Sequence, residues 1–295
     1  MSFAHSLRVR RPLALGALVL LAPIVAGAQG GTQRTPRGDS LRMASRLDSE
    51  GKTGEARALF QKLIDSAPDP AAKAATQRAM AMSYAFDGDC ANTVKLEEQV
   101  IAYWVTREQA EPQNAFYQEG EMANEAARVC IDAGDLDTAE KYYKKGSELG
   151  NKEPEPRTHP KGLWDFRLHH ALARIAARRG DAAVAKQHVG HARGFLDADP
   201  KMAAQQERFF PYLVGYVALY TNDLKTAEEQ LTRTIALQGN ERDPFFHALL
   251  GMTYERKGDA AKAREMYQKA YDLATAHNPP AAFTRPFARK KLAAK

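Results

Sequence analysis

Arg167, His170, Arg174 and Arg178 recur at spacings of three and four, so on a helix they form one stripe. Further along, Phe209, Tyr212, Tyr216 and Tyr220 do the same. Asn124 and Arg128 precede these two groups, and Phe245, Met252 and Arg256 follow them. Arginine forks grip carboxylates through paired hydrogen bonds, and tyrosine offers broad apolar area with a polar tip. A basic stripe beside an aromatic one suits an extended peptide with acidic and apolar residues, or a terminal carboxylate. The competing reading is a solvated basic face and an aromatic stripe turned into the core, which a one-residue change of register would produce. If the stripe is a binding surface, Arg174→Glu weakens partner binding without lowering the melting temperature. A small molecule or sugar stacked on the aromatics of 209–220 is the alternative ligand.

Other chemistry has weaker support. His169, His170, His188 and His191 fall within one short region, and His188 and His191 are three apart on one helix face, a spacing that can chelate zinc. No cysteine or carboxylate completes a recognisable ligand set, so neither a metal nor another cofactor is expected. The sequence has no G-x-S-x-G elbow, no H-E-x-x-H pair and no G-x-x-x-x-G-K-[ST] phosphate loop. A binding protein, not an enzyme, is the expectation. An enzyme built on helical repeats, with its site assembled in space, is the remaining alternative.

The elements that must hold these residues are helices, because no stretch alternates apolar and polar residues long enough for a strand. A corner motif recurs at Gly51-Lys52, Gly88-Asp89, Gly134-Asp135, Gly180-Asp181, Asn222-Asp223 and Gly258-Asp259. Glycine or asparagine can take the left-handed conformation that ends a helix, and aspartate caps the next one. Beyond several corners a small residue is followed four later by a larger apolar one: Ala56 and Phe60, Ala139 and Tyr143, Ala185 and Val189, Ala227 and Leu231. Thr93 and Glu97 break the rule in the second unit. Six helix–turn–helix hairpins follow, at separations of 37, 46, 46, 42 and 36 residues. Cys90 opens the second helix of the second hairpin, and Cys130 lies near the end of the helix that follows. They are either a disulfide pair or two buried thiols.

The last unit carries Leu250-Gly251, Tyr254, Gly258-Asp259, Ala263, Tyr267 and Ala270. These residues resemble a tetratricopeptide repeat, and the resemblance extends over about 38–277. It implies an all-α, right-handed superhelical solenoid whose concave wall, built from the first helix of each hairpin, binds a protein or peptide. Glu153-Pro154-Glu155-Pro156 is expected to be a stiff, extended connection. Residues 282–294 are expected to close the array as a capping helix, with Thr284 as its N-cap, Pro286 in its first turn and Arg289, Lys290, Lys291 and Lys295 on its outer face.

The N-terminus has a basic front (Arg8, Arg10, Arg11), an apolar run from Pro12 to Val25, and Ala26-Gly27-Ala28. That is the pattern of a secretory signal, here over 1–28, followed by a leader over 29–37 and one solenoid domain over 38–295. The expected location is therefore periplasmic or secreted, with no membrane span after cleavage. The 42 basic and 36 acidic residues give a net charge of +6. Removal of the three arginines halves it to +3, which argues against nucleic acid as a partner.

Overall fold

A computed structural model describes residues 35–294. Among them there are fourteen α-helices, one 3-10 turn and no strand. The first helices of the six hairpins are α1 (Pro36–Glu50), α3 (Pro70–Phe86), α5 (Pro112–Ala133), α7 (Leu163–Arg178), α10 (Phe210–Tyr220) and α12 (Pro244–Arg256). Their partners are α2 (Thr53–Asp65), α4 (Cys90–Val105), α6 (Leu136–Gly150), α8 (Ala182–Ala198), α11 (Leu224–Ala236) and α13 (Ala260–Leu273). A short helix α9 (Pro200–Gln206) and the 3-10 turn Glu207–Phe209 lie between the fourth and fifth hairpins, and α14 (Pro279–Ala293) ends the chain. None of these helices is long and apolar enough to cross a membrane. The signal-like segment 1–28 lies outside the described residues.

All six corners fall between paired helices. Their glycines and Asn222 have φ between 66° and 91°, a region that a Cβ makes unfavourable and that asparagine tolerates better than most. In five of them the aspartate accepts a hydrogen bond from the backbone N–H three residues on, as Asp135 does from Thr138 at 3.1 Å. The first hairpin has Lys52 at this place and no side-chain cap. Within α11, Ala227, Leu231 and Thr234 are buried at helical spacing while the opposite face is charged. Thr93 and Glu97 occupy the same seam in α4 and are both fully buried, so their hairpin keeps the register with polar residues.

Three boundaries differ from the sequence expectation. The leader ends earlier, because Thr35 caps α1 and Arg37 is tied inward. Its guanidinium donates to Leu63 O at 2.8 Å and Thr76 Oγ1 at 2.7 Å. Segment 153–156 is not a free extended strut. Buried Glu153 organises the loop by accepting from Thr158 N and Oγ1 at 2.6 and 2.7 Å. The last helix starts at Pro279, capped by Asn278, with Pro286 inside it. Asparagine followed by proline is itself a strong helix start.

The largest departure concerns where α14 goes. It does not simply cover the end of the stack. It packs on α12 and α13 and also on α3 and α5, the inner helices of the second and third hairpins. His277, just before it, sits between Phe60 and Phe86 and bonds buried Asp48 through Nε2 at 2.8 Å. Arg285 and Arg289 donate to Ser49 O at 2.6 and 2.9 Å, the orphan carbonyl end of α1. So the basic residues divide their work: Arg289 caps the first helix, and Lys291 pairs with Glu255 at 2.7 Å. The array closes on itself, and its hairpins contact more than their sequence neighbours.

Glu119 of α5 is fully buried and neither carboxylate oxygen has a partner. Burial, reinforced by Glu108, pushes its carboxyl up to about 7. A group raised in the folded state supports stability fully below its unfolded value near 4.5 and loses that support as pH climbs through 7. Glu119→Gln is therefore expected to raise the melting temperature relative to the parent more at pH 8 than at pH 5. An equal difference at both values would disprove the assignment.

Candidate functional site

Helices α5 and α7, the 3-10 turn, the start of α10 and the start of α14 line an open pocket of about 270 Å³. Its wall contains Arg167, His170 and Arg174 from α7, Asn124 and Arg128 from α5, Phe209 from the 3-10 turn and Tyr212 from α10. Seven residues singled out from the sequence thus meet in one place. Pro279 and Pro280 of α14 form part of the same wall.

The stripe is not a solvated face. Arg174 is 5% exposed and His170 8%, so charge reversal at Arg174 would disturb folding as well as binding, contrary to the sequence expectation. The Arg174 guanidinium donates to Tyr212 Oη at 3.0 Å, Tyr143 Oη at 2.9 Å and His170 O at 3.3 Å. Neighbouring carboxylates are engaged elsewhere: Glu121 holds Arg167 at 2.8 Å, Asp132 holds Arg128 at 3.4 Å, and Glu125 holds Arg78. Among the described residues Arg174 forms no ion pair. A guanidinium keeps its charge at any working pH. Beside it, burial and then the Arg174 cation push the His170 imidazole well below its ordinary pKa, so it is neutral near pH 7. Its Nε2 is buried without a hydrogen-bond partner. A buried cation and a neutral imidazole therefore both belong to the wall of one small, open pocket.

The other candidates lie elsewhere. Tyr216 and Phe245 are 1% and 2% exposed and belong to the core between the fifth and sixth hairpins. Met252 packs against that core, and the Tyr220 ring lies tilted against Tyr216 at 4.7 Å. Arg178 lies over Tyr220 at 5.1 Å, outside the cavity. Arg256 is exposed and donates to Leu219 O at 2.6 Å, closing the end of α10. The aromatic stripe is continuous on α10, but a helix in a stacked array presents flanks to both neighbours. Only the Phe209 and Tyr212 end reaches the inner surface. At the sixth hairpin, Phe283 of α14 covers Phe245 at 5.3 Å.

Tyr143, Phe166, Gln206, the two prolines and the carboxylates Glu121 and Glu125 also line the pocket and were not among the sequence candidates. Tyr143 alone had a signal, as the larger residue of its hairpin seam. Asn124 is held by close helix contact, because a Cβ at Gly146 of α6 would overlap its Oδ1. Cys90 and Cys130 form a disulfide with Cα atoms 4.8 Å apart, joining α4 to α5.

Residues 246–277 match the tetratricopeptide repeat. The matched segment covers α12 and α13 apart from the first two residues of α12. The chain is also similar to YrrB, a tetratricopeptide repeat protein whose crystal structure is described as having an unusual peptide-binding site. The identity is 15%, over 78% of this chain and 97% of that one, with a TM-score of 0.32. So loose an overlay carries no weight for the architecture, which rests on the tetratricopeptide-like hairpins themselves. No curated protein matches the sequence.

Proposed function

We propose that this chain is an exported, non-catalytic scaffold that binds a protein or peptide by seating one of its carboxylates on Arg174 in the inner cavity. The supporting observation is the buried Arg174 cation, which among the described residues forms no ion pair, although Glu121 and Glu125, paired with Arg167 and Arg78, line the same pocket. An anion entering there gains charge-assisted hydrogen bonds away from competing water. The signal-like N-terminus supports export to the periplasm or the medium.

The size of the pocket narrows the earlier expectation of a long groove. Drug-sized sites measure roughly 300–1,000 Å³, so 270 Å³ suits a terminal residue or one acidic side chain. The remainder of a peptide would lie outside. The same small size favours a second reading, a free small carboxylic acid. Sugar stacking loses its basis, because Tyr216 is interior.

The test compares labelled peptide pools ending in a free carboxylate with the same pools amidated, using anisotropy on the full chain. Hydrogen bonds to a charged group are worth about 1.5–3 kcal/mol, so at least ~10-fold tighter binding of the free acids is expected. Arg167→Gln, at the more exposed rim, should weaken both pools less than amidation does. Equal affinity for acid and amide would overturn the reading. Binding of small acids alone would select the second one.

A further inference from the structure

On the opposite flank of the fourth hairpin, three imidazoles converge. His169 of α7 faces His188 and His191 of α8, and one ring nitrogen from each lies within 4.8 Å of the others. His169 Nδ1 stands 2.8 Å from His188 Nδ1 and 3.3 Å from His191 Nδ1. We propose that these three histidines bind a divalent transition-metal ion of the zinc class.

Hydrogen bonding explains the cluster poorly. Both contacts converge on a single nitrogen, which offers either one N–H or one lone pair. Three lone pairs aimed at a common point make a good donor set, and imidazole suits zinc, copper and nickel. Zinc–nitrogen bonds of about 2.0–2.1 Å at tetrahedral angles place donor nitrogens roughly 3.3 Å apart, which small ring rotations would reach here. Burial, and then the neighbouring imidazoles, lower the pKa of His169 and His188, so neutral rings are available at pH 7. The nearest acids are engaged: Asp165 accepts from Asn151 at 3.0 Å, and Glu140 is held by Arg179 and Lys144.

Phe195 stacks on His169 at 5.7 Å and fixes the ring. His191 is exposed, which leaves the fourth coordination position to water. The sequence grouped His169, His170, His188 and His191 in one region, but only the pair three apart on α8 had a recognisable ligand spacing. Spacing did not show that His169, and not His170, is the third member on the facing helix. A bound ion would pin α7 against α8, and α7 carries His170 and Arg174 on its other flank.

The experiment uses the full chain stripped with chelator and titrated with zinc sulfate, followed by calorimetry and thermal melting, and separately with cobalt(II) in the visible range. One ion per chain is expected, with a rise in melting temperature of about 5 °C at saturating zinc and a cobalt band of tetrahedral intensity. His191→Ala changes an exposed side chain. It should leave the melting temperature in chelator unchanged while weakening zinc at least ~10-fold. Absence of a zinc-induced shift and of the cobalt band would overturn the proposal. So would zinc binding that His191→Ala and His188→Ala leave intact.

Discussion

Trp164→Ala is expected to destabilise the protein by about 3–5 kcal/mol, lowering the melting temperature by roughly 10 °C or more. The indole is fully buried. Room for it is made by glycines on two other helices: a Cβ at Gly120 of α5 would stand 2.5 Å from its ring, and one at Gly150 of α6 would overlap it. The backbones of α5 and α6 already touch at Gly120 and Gly146, so the space left by alanine cannot be filled by closing the helices. The Arg167 guanidinium lies over the same ring at 4.7 Å, so the cavity should be disturbed as well. Gly150→Val tests the slot from the other side and should also destabilise, through overpacking. A loss below about 1 kcal/mol for Trp164→Ala, measured by thermal and urea melts, would mean the slot collapses easily and the account of its packing is wrong.

Asp48→Ala is expected to cost about 3 kcal/mol, because it leaves buried partners without their counterpart. Asp48 is 1% exposed and accepts from Ser83 Oγ at 2.7 Å and His277 Nε2 at 2.8 Å. The effect should be unevenly distributed. With His277 released from its place between Phe60 and Phe86, α14 loses one of its anchors on the first hairpin, and amide exchange across 279–293 should accelerate more than across α7. Asp48→Asn, which keeps an acceptor for Ser83, should be milder. If stability falls while exchange in α14 is unchanged, Asp48 merely joins α1 to α3 and is no part of the closure.

The sequence made the hairpins legible because each depends on a local physical requirement. A left-handed corner needs glycine or asparagine, and the following aspartate meets free N–H groups within three residues. The sixth hairpin carried the clearest pattern and is the segment that the tetratricopeptide family matches. The path of α14 was not legible, because a contact such as Asp48–His277 joins residues 229 apart and leaves no periodicity in either segment. The cavity was half legible. Helical spacing grouped Arg167, His170 and Arg174 correctly, yet it could not reveal that Tyr143 and Tyr212 would bury the arginine. Periodicity also treated Phe209 and Tyr220 alike, although their neighbours place one at the cavity and the other over α8.

The closure of the ring also bears on how the chain is made. A nascent chain that has completed its first hairpin still lacks the partner for Asp48 and for the carbonyl end of α1 until residues 277–289 arrive. Early hairpins can form as they emerge, but the loop joining start and finish must wait, and long-range closure is the slow step in folding. A product interrupted after α13 would possess every hairpin yet display Phe86 and Phe245 to whatever it meets, marking it for aggregation or proteolysis.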